Sequence, residues 1–132
     1  MQRRVLFLRG KSQSDQRNRV AEISLAMHEQ GWHCTSSDHP TFGRYDIIWI
    51  MEPGAVSSIH STGYRLLVWD RTCDSSDNPL LSEIANLTID KNNGIVYQRR
   101  EFASDLDQVV CVELAEEVSE IMGGLNGEEG KL

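Results

Sequence analysis

The chain has 132 residues, enough for one domain, and its 39 % hydrophobic and 25 % charged residues suit a folded globular protein rather than a disordered one. A formal net charge of -7 excludes the broad basic face that a nucleic-acid footprint needs. Near the start only Val5 to Leu8 are apolar in a row, far too few for a signal-peptide core or a membrane span. The expectation is therefore a soluble, cytoplasmic protein with neither nucleic acid nor membrane as partner.

Cys34, Cys73 and Cys111 are odd in number and far apart, and no C-x-x-C spacing occurs. Neither a zinc knuckle nor a redox pair is indicated, and no metal or cofactor is expected. Cys111 lies in an apolar helical stretch and reads as core. Cys73 follows a strand end, where a thiol can be reactive.

Val5-Leu6-Phe7-Leu8 reads as a strand buried on both faces. After the polar stretch Lys11 to Arg17, the spacing of Val20, Ile23 and Met27 predicts a helix, with Ser14 or Asp15 as its cap and Gly31 ending it in the left-handed conformation. Residues Trp32 to Ser36 form the second expected strand. Asp46 to Met51 is the clearest strand, stopped by Glu52-Pro53-Gly54. Residues 55 to 63 hold one short helix at most, and Arg65 to Trp69 form another buried strand. Asn78 and Pro79 start a short helix through Leu81, Ile84 and Ala85. Asn92-Asn93-Gly94 either joins Leu87-Thr88-Ile89 and Ile95-Val96-Tyr97 in a hairpin or precedes a single strand. Ser104, with Asp105 and Asp107 beside it, caps a last helix whose buried stripe is Leu106, Val110, Leu114 and Val118, and Gly123-Gly124 ends it.

Strands alternating with helices predict an α/β domain of three layers, Rossmann-like or flavodoxin-like, with a mostly parallel central sheet of 4–5 strands. It spans residues 1–124, and residues 125–132 are expected to form a flexible tail. In such sheets ligands bind beyond the carboxyl ends of the strands, where strand order reverses. Arg9, Gly10, Lys11, Ser12 and Ser14 follow the first strand there, Met51 and Glu52 the third, and Asp70 and Arg71 the fourth. Gly10, Lys11, Ser12 and Ser14, ahead of a helix N-terminus, suit an anion such as a phosphate. Glu52, Asp70 and Arg71 complete the candidate ligand site. Gly10-Lys11-Ser12 is not a P-loop, since Val5 stands where that motif needs its first glycine. No catalytic residue is assigned. Asp38-His39 beside a serine-rich stretch lacks a nucleophile elbow.

Gly94 to Tyr97, Arg100, Phe102 and the Ser104 helix resemble the last third of a response-regulator receiver domain. Tyr45 to Ile50, with Pro53-Gly54, resembles that family's phosphoacceptor strand. The acidic pair after strand one is replaced by Arg9-Gly10, the acceptor position falls on Met51 or Trp49, and the lysine falls on Arg100. The resemblance implies a pseudo-receiver, without magnesium or phosphoryl transfer, acting as a regulatory or protein-binding domain through residues 95–118, with a protein partner or a homodimer. Residues 3 to 90, with Val68-Trp69-Asp70, also resemble the N-terminal half of GT-B glycosyltransferases. That implies a small phosphate-containing ligand, a nucleotide or sugar phosphate, at the Lys11 loop. The short connections resemble phosphotransferase-system IIB domains, though Arg9-Gly10 stands where their phosphocysteine would end strand one.

Overall fold

The computed structural model describes residues 3–11, 14–39, 43–91, 94–98 and 105–130. Its elements in chain order are β1 (Arg4–Leu8), α1 (Ser14–Glu29), β2 (His33–Ser37), β3 (Gly43–Arg44), β4 (Ile47–Ile50), a 3-10 helix (Pro53–Ser61), β5 (Thr62–Gly63), β6 (Leu66–Asp70), α2 (Pro79–Ile84), β7 (Leu87–Asp90), β8 (Gly94–Tyr97) and α3 (Asp105–Gly130). Six strands form the main sheet in the order β2-β1-β4-β6-β7-β8, and β3 pairs with β5 in a small separate ladder. All pairings in the main sheet are parallel except β7 with β8. Counting only main-sheet strands, the order is 2-1-3-4-5 with a sixth strand added, which is the flavodoxin-like arrangement.

The strands explain their places. β4 is an apolar run throughout, β1 and β6 are apolar apart from Arg4 at the start of one and Asp70 at the end of the other, and every residue of β4 and β6 is buried. Such runs suit the middle of a parallel sheet, where both faces are covered. β2, with the sequence His-Cys-Thr-Ser-Ser, is more exposed and lies at an edge. One face carries Val5, Phe7, Ile47, Trp49, Val68 and Ile89 under α1 and α3. The other carries Leu6, Leu8, Ile48, Ile50, Leu67 and Trp69 under the 3-10 helix and α2. The three layers are therefore helix, sheet and helix, with two cores divided by the sheet.

Local chemistry sets several boundaries as expected. Gly31 has a φ of 89°. Its N–H donates to the His28 carbonyl and that of Trp32 to the Met27 carbonyl, the paired bonds of a Schellman ending. Asn78 caps α2 by accepting from the Leu81 N–H at 3.0 Å, with Pro79 next to it. At the amino edge, Arg3 pairs with Glu117, which also accepts from Trp32 Nε1 at 2.8 Å. That cluster ties α3 to the start of β1 and the end of α1.

Two features depart from the sequence reading. The sheet has six strands, because β7 and β8 pair antiparallel, with Asp90 facing Gly94. Residues 53–61 make one nine-residue 3-10 helix, in keeping with the single short helix expected there. The last helix runs on to Gly130 instead of ending at Gly123-Gly124. Neither glycine has a positive φ, and Ile121 and Leu125 on either side pack against the core, so burial carries the helix through. Ser104 lies outside the described residues, as do the side chains of Asp105, Leu106 and Asp107.

The two kinds of glycine can be told apart by urea denaturation. Gly31→Ala should destabilise the chain by about 1–2 kcal/mol, the cost of a side chain in the left-handed region. Gly123→Ala, with no atom within 4 Å of the added methyl, should stabilise it by about 0.5–1 kcal/mol. Equal losses at both positions would mean that the helix ends at Gly123.

Candidate functional site

Strand order reverses between β1 and β4, so the crevice of this fold opens beyond Leu8 and Ile50. There the chains diverge only after Met51 N–H has bonded the Leu8 carbonyl at 2.8 Å. The crevice is bridged from within by Gln16, a buried residue in the first turn of α1. Its Oε1 accepts from the Gly10 N–H at 2.6 Å, and its Nε2 lies 3.4 Å from the Met51 carbonyl. One amide side chain thus joins the ends of both strands at the switch point. The carbonyl of Lys11 accepts from Arg17 at 2.7 Å. Two backbone groups of the expected anion loop are accordingly occupied by α1 itself. The Lys11 side chain is exposed, as is Ser14, while Ser12 lies outside the described residues.

Asp70 ends β6 and is fully buried. Its Oδ2 accepts from Arg19 Nε at 3.1 Å and from Trp49 Nε1 at 3.0 Å. Its Oδ1 accepts from the Thr72 N–H at 3.0 Å and the Thr72 hydroxyl at 2.6 Å. A buried carboxylate with four donors and a counter-ion is satisfied as it stands. It holds α1 against the centre of the sheet. Glu52 caps the 3-10 helix, accepting from the Gly54 N–H at 3.4 Å.

Arg71 belongs to the other face. Its guanidinium lies 4.7 Å over the Trp69 ring centroid and reaches Ser75, Asp77 and Asp90. Among the described residues, no hydrogen bond or ion pair joins Lys11, Glu52, Asp70 and Arg71 to one another. They share an edge of the sheet and take separate parts: a solvated lysine, a helix cap, a buried ion pair and an arginine stacked on tryptophan.

Other candidates also acquire definite surroundings. Met51 and Trp49, the positions that the receiver resemblance gives to the phosphoacceptor, are both fully buried. Arg100 and Phe102 lie outside the described residues. His39 Nδ1 meets Asp38 Oδ1 at 2.7 Å, and that bond holds the exposed Asp38 carboxyl below its ordinary range. The neighbouring Ser37 hydroxyl accepts from the His39 backbone N–H at 3.2 Å. Burial pushes the Cys73 thiol up, against a weaker opposing hydrogen bond with Thr72. That disfavours the thiolate a reactive cysteine needs. Among the described residues no three His, Cys, Asp or Glu side chains are grouped to hold a metal ion, and no helix is long and apolar enough to cross a membrane.

Comparisons with protein-family models, with curated proteins and with solved structures gave no match, so the site is argued from its own chemistry.

Gln16 and Arg19 were invisible as partners of the rim, although the helical stripe Val20, Ile23, Met27 extends back by one turn to position 16. A buried polar residue on that stripe needs partners, and the strand ends are what it faces. Asp70→Asn should cost about 3 kcal/mol in urea unfolding, because both carboxylate oxygens accept from donors and an amide would turn its NH2 against one of them. A loss below about 0.5 kcal/mol, ordinary for a surface change, would show that the pair is not buried.

Proposed function

We propose that this chain is a non-catalytic regulatory or protein-binding domain whose working surface is the edge formed by β8 and α3, within residues 95–118. The observation that carries the reading is where apolar side chains remain outside the core. Six large hydrophobic residues are exposed among the described ones, and three of them, Val96 (43 %), Tyr97 (37 %) and Val109 (52 %), fall on β8 and the first turns of α3. A groove of about 370 Å³ lies between Tyr97 and the Val112, Ala115, Glu116 and Ser119 positions of α3. No strand lies beyond β8 among the described residues. A terminal strand with apolar neighbours is a docking edge for another chain. The filled switch point supports the same reading, since the usual ligand crevice of the fold is bridged by Gln16.

A second copy of the chain is the first partner to test. Sedimentation velocity of the wild type should show a dimer at micromolar concentration. Val96→Lys and Val109→Glu, both at exposed positions, should be monomeric with unchanged circular dichroism. A wild type that stays monomeric at about 100 µM, a concentration where even weak dimers form, would remove self-association.

The alternative, a nucleotide or sugar-phosphate site at the Lys11 loop, has less support because the Gly10 N–H already serves Gln16. Thermal shift decides it. A ligand at a hundredfold excess over its Kd stabilises by about 2.7 kcal/mol. Nucleotides and sugar nucleotides should leave the melting temperature unchanged. A shift that Lys11→Ala abolishes would restore this reading in place of ours.

A further inference from the structure

The cations of this acidic chain are not spread evenly. Arg3, Arg19 and Arg71 are ion-paired. Arg4, Arg44 and Arg65 form no ion pair among the described residues, and they collect at the amino edge of the sheet. Arg4 opens β1, Arg44 ends β3 just ahead of β4, and Arg65 directly precedes β6. β1, β4 and β6 are neighbours, and Arg4, Asp46 and Arg65 stand one step before the aligned Val5, Ile47 and Leu66. Arg4 and Arg65 are thus two strand spacings apart, about 10 Å. Arg4 Nη1 donates to the Arg44 carbonyl at 3.1 Å, which brings the third cation alongside. Asp46 is the one acid in residues 3–8, 43–48 and 62–66, and it is buried with its carboxylate on the Arg4 N–H. Tyr64, 36 % exposed, adjoins Arg65. The other basic group, Arg9, Lys11 and Arg17, lies at the opposite edge and shares it with Asp15, Asp38 and Glu52.

The outer face of α3 carries the opposite charge. Glu113, Glu116 and Glu120 are exposed and have no cation paired to them among the described residues. Their spacing of three and four puts them on one helical face, which the exposed Val109 continues. From Glu113 to Glu120 the helix rises about 10 Å, the same span as the arginine row. The groove of about 370 Å³ runs beside Glu116 and Glu120, with Tyr97, Val112 and Ala115 among its apolar lining. An acid stripe next to an apolar groove fits a surface that offers arginines around an aromatic side chain.

We propose that the β8–α3 face takes the amino edge of a second copy, with Tyr64 in the groove and Arg4, Arg44 and Arg65 over Glu113, Glu116 and Glu120. This rests on the reading of β8 and α3 as the docking surface, and it adds the matching surface of the partner. Tyrosine and arginine are the side chains that most often dominate such contacts. A two-fold contact of α3 with α3 would set glutamate against glutamate, whereas the amino edge supplies the complement. The contact is head to tail, so a dimer keeps one free arginine edge and one free α3 face. The dimer is the first species, and longer ones follow as concentration rises.

Charge reversal followed by mixing tests this in sedimentation velocity. One variant carries Arg44→Glu and Arg65→Glu, the other Glu116→Arg and Glu120→Arg. Each alone should associate at least about tenfold more weakly than the wild type. An equimolar mixture should recover association to within about tenfold of the wild type, because each reversed surface then meets its complement. Recovery on mixing also shows that both variants are folded. Tyr64→Ser, which leaves every charge in place, should weaken association about tenfold. If the arginine variant associates like the wild type while Val109→Glu is monomeric, the docking edge stands and the amino edge is not its partner. A mixture that stays monomeric, or Tyr64→Ser with unchanged association, overturns the inference as well. So does a wild type that is monomeric at about 100 µM, which leaves the β8–α3 face to a different protein.

Discussion

Parallel strands that are apolar on both faces have to be covered on both faces, and this chain covers them unequally. One face lies under helices of 16 and 26 residues, the other under a nine-residue 3-10 helix and a six-residue α-helix. The sequence of each strand follows the cover available to it. β1, β4 and β6, in the middle, bury successive residues without alternation. β7 alternates instead, with Leu87 and Ile89 toward the long helices and Thr88 and Asp90 toward the thin layer. Had β7 been apolar throughout, an exposed hydrophobic strip would lie beside α2 and invite aggregation. The polar choice there leaves Thr88 and Asp90 beside Trp69 and Arg71 on the thinly covered side of the sheet.

The switch point shows the opposite solution. In this fold the diverging ends of two strands leave backbone groups facing a crevice, and a ligand commonly meets them. Here Gln16 meets them. A neutral amide suits the place because it offers one acceptor to the Gly10 N–H and one donor to the Met51 carbonyl, without the desolvation cost of a charge. The nearby charge, Asp70, is retained only with Arg19 and three further donors around it. Polar atoms at the carboxyl edge therefore act mainly on one another. That is why the partner-facing reading of β8 and α3 rests on surface apolarity and not on rim chemistry.

How much of this was legible in the sequence depends on how local the deciding physics is. The buried strands were plain because a four- or five-residue apolar run has few other uses. The α1 ending was plain because Gly31 adopts a conformation that other residues resist, and the α2 start because Asn78 and Pro79 fit a cap and a first turn. Gly123-Gly124 misled for the reverse reason. Glycine permits a left-handed ending without requiring one, and the contacts of Ile121 and Leu125 settle the matter. Asn92-Asn93-Gly94 suits two chain paths, and only the pairing of β8 with β7 selects between them. The Asp70–Arg19 pair joins residues 51 positions apart, and no local pattern reports such a meeting.

The triplet Trp69-Asp70-Arg71 shows why adjacent polar residues are a poor guide to a shared site. Side chains along a strand alternate between faces, so neighbours in sequence are separated by the thickness of the sheet. Asp70 points toward α1 and is closed off by Arg19 and Trp49. Trp69 and Arg71 point the other way and stack with each other. A cluster that reads as one acid–base group is thus divided into a satisfied ion pair on one side and a pair of unmet donors on the other. The partition follows from the period of two alone. Among the described residues, the two shielded side-chain donors with no partner, Trp69 Nε1 and Arg71 Nε, both lie on the thinly covered side, away from the crevice where the fold would lead one to look.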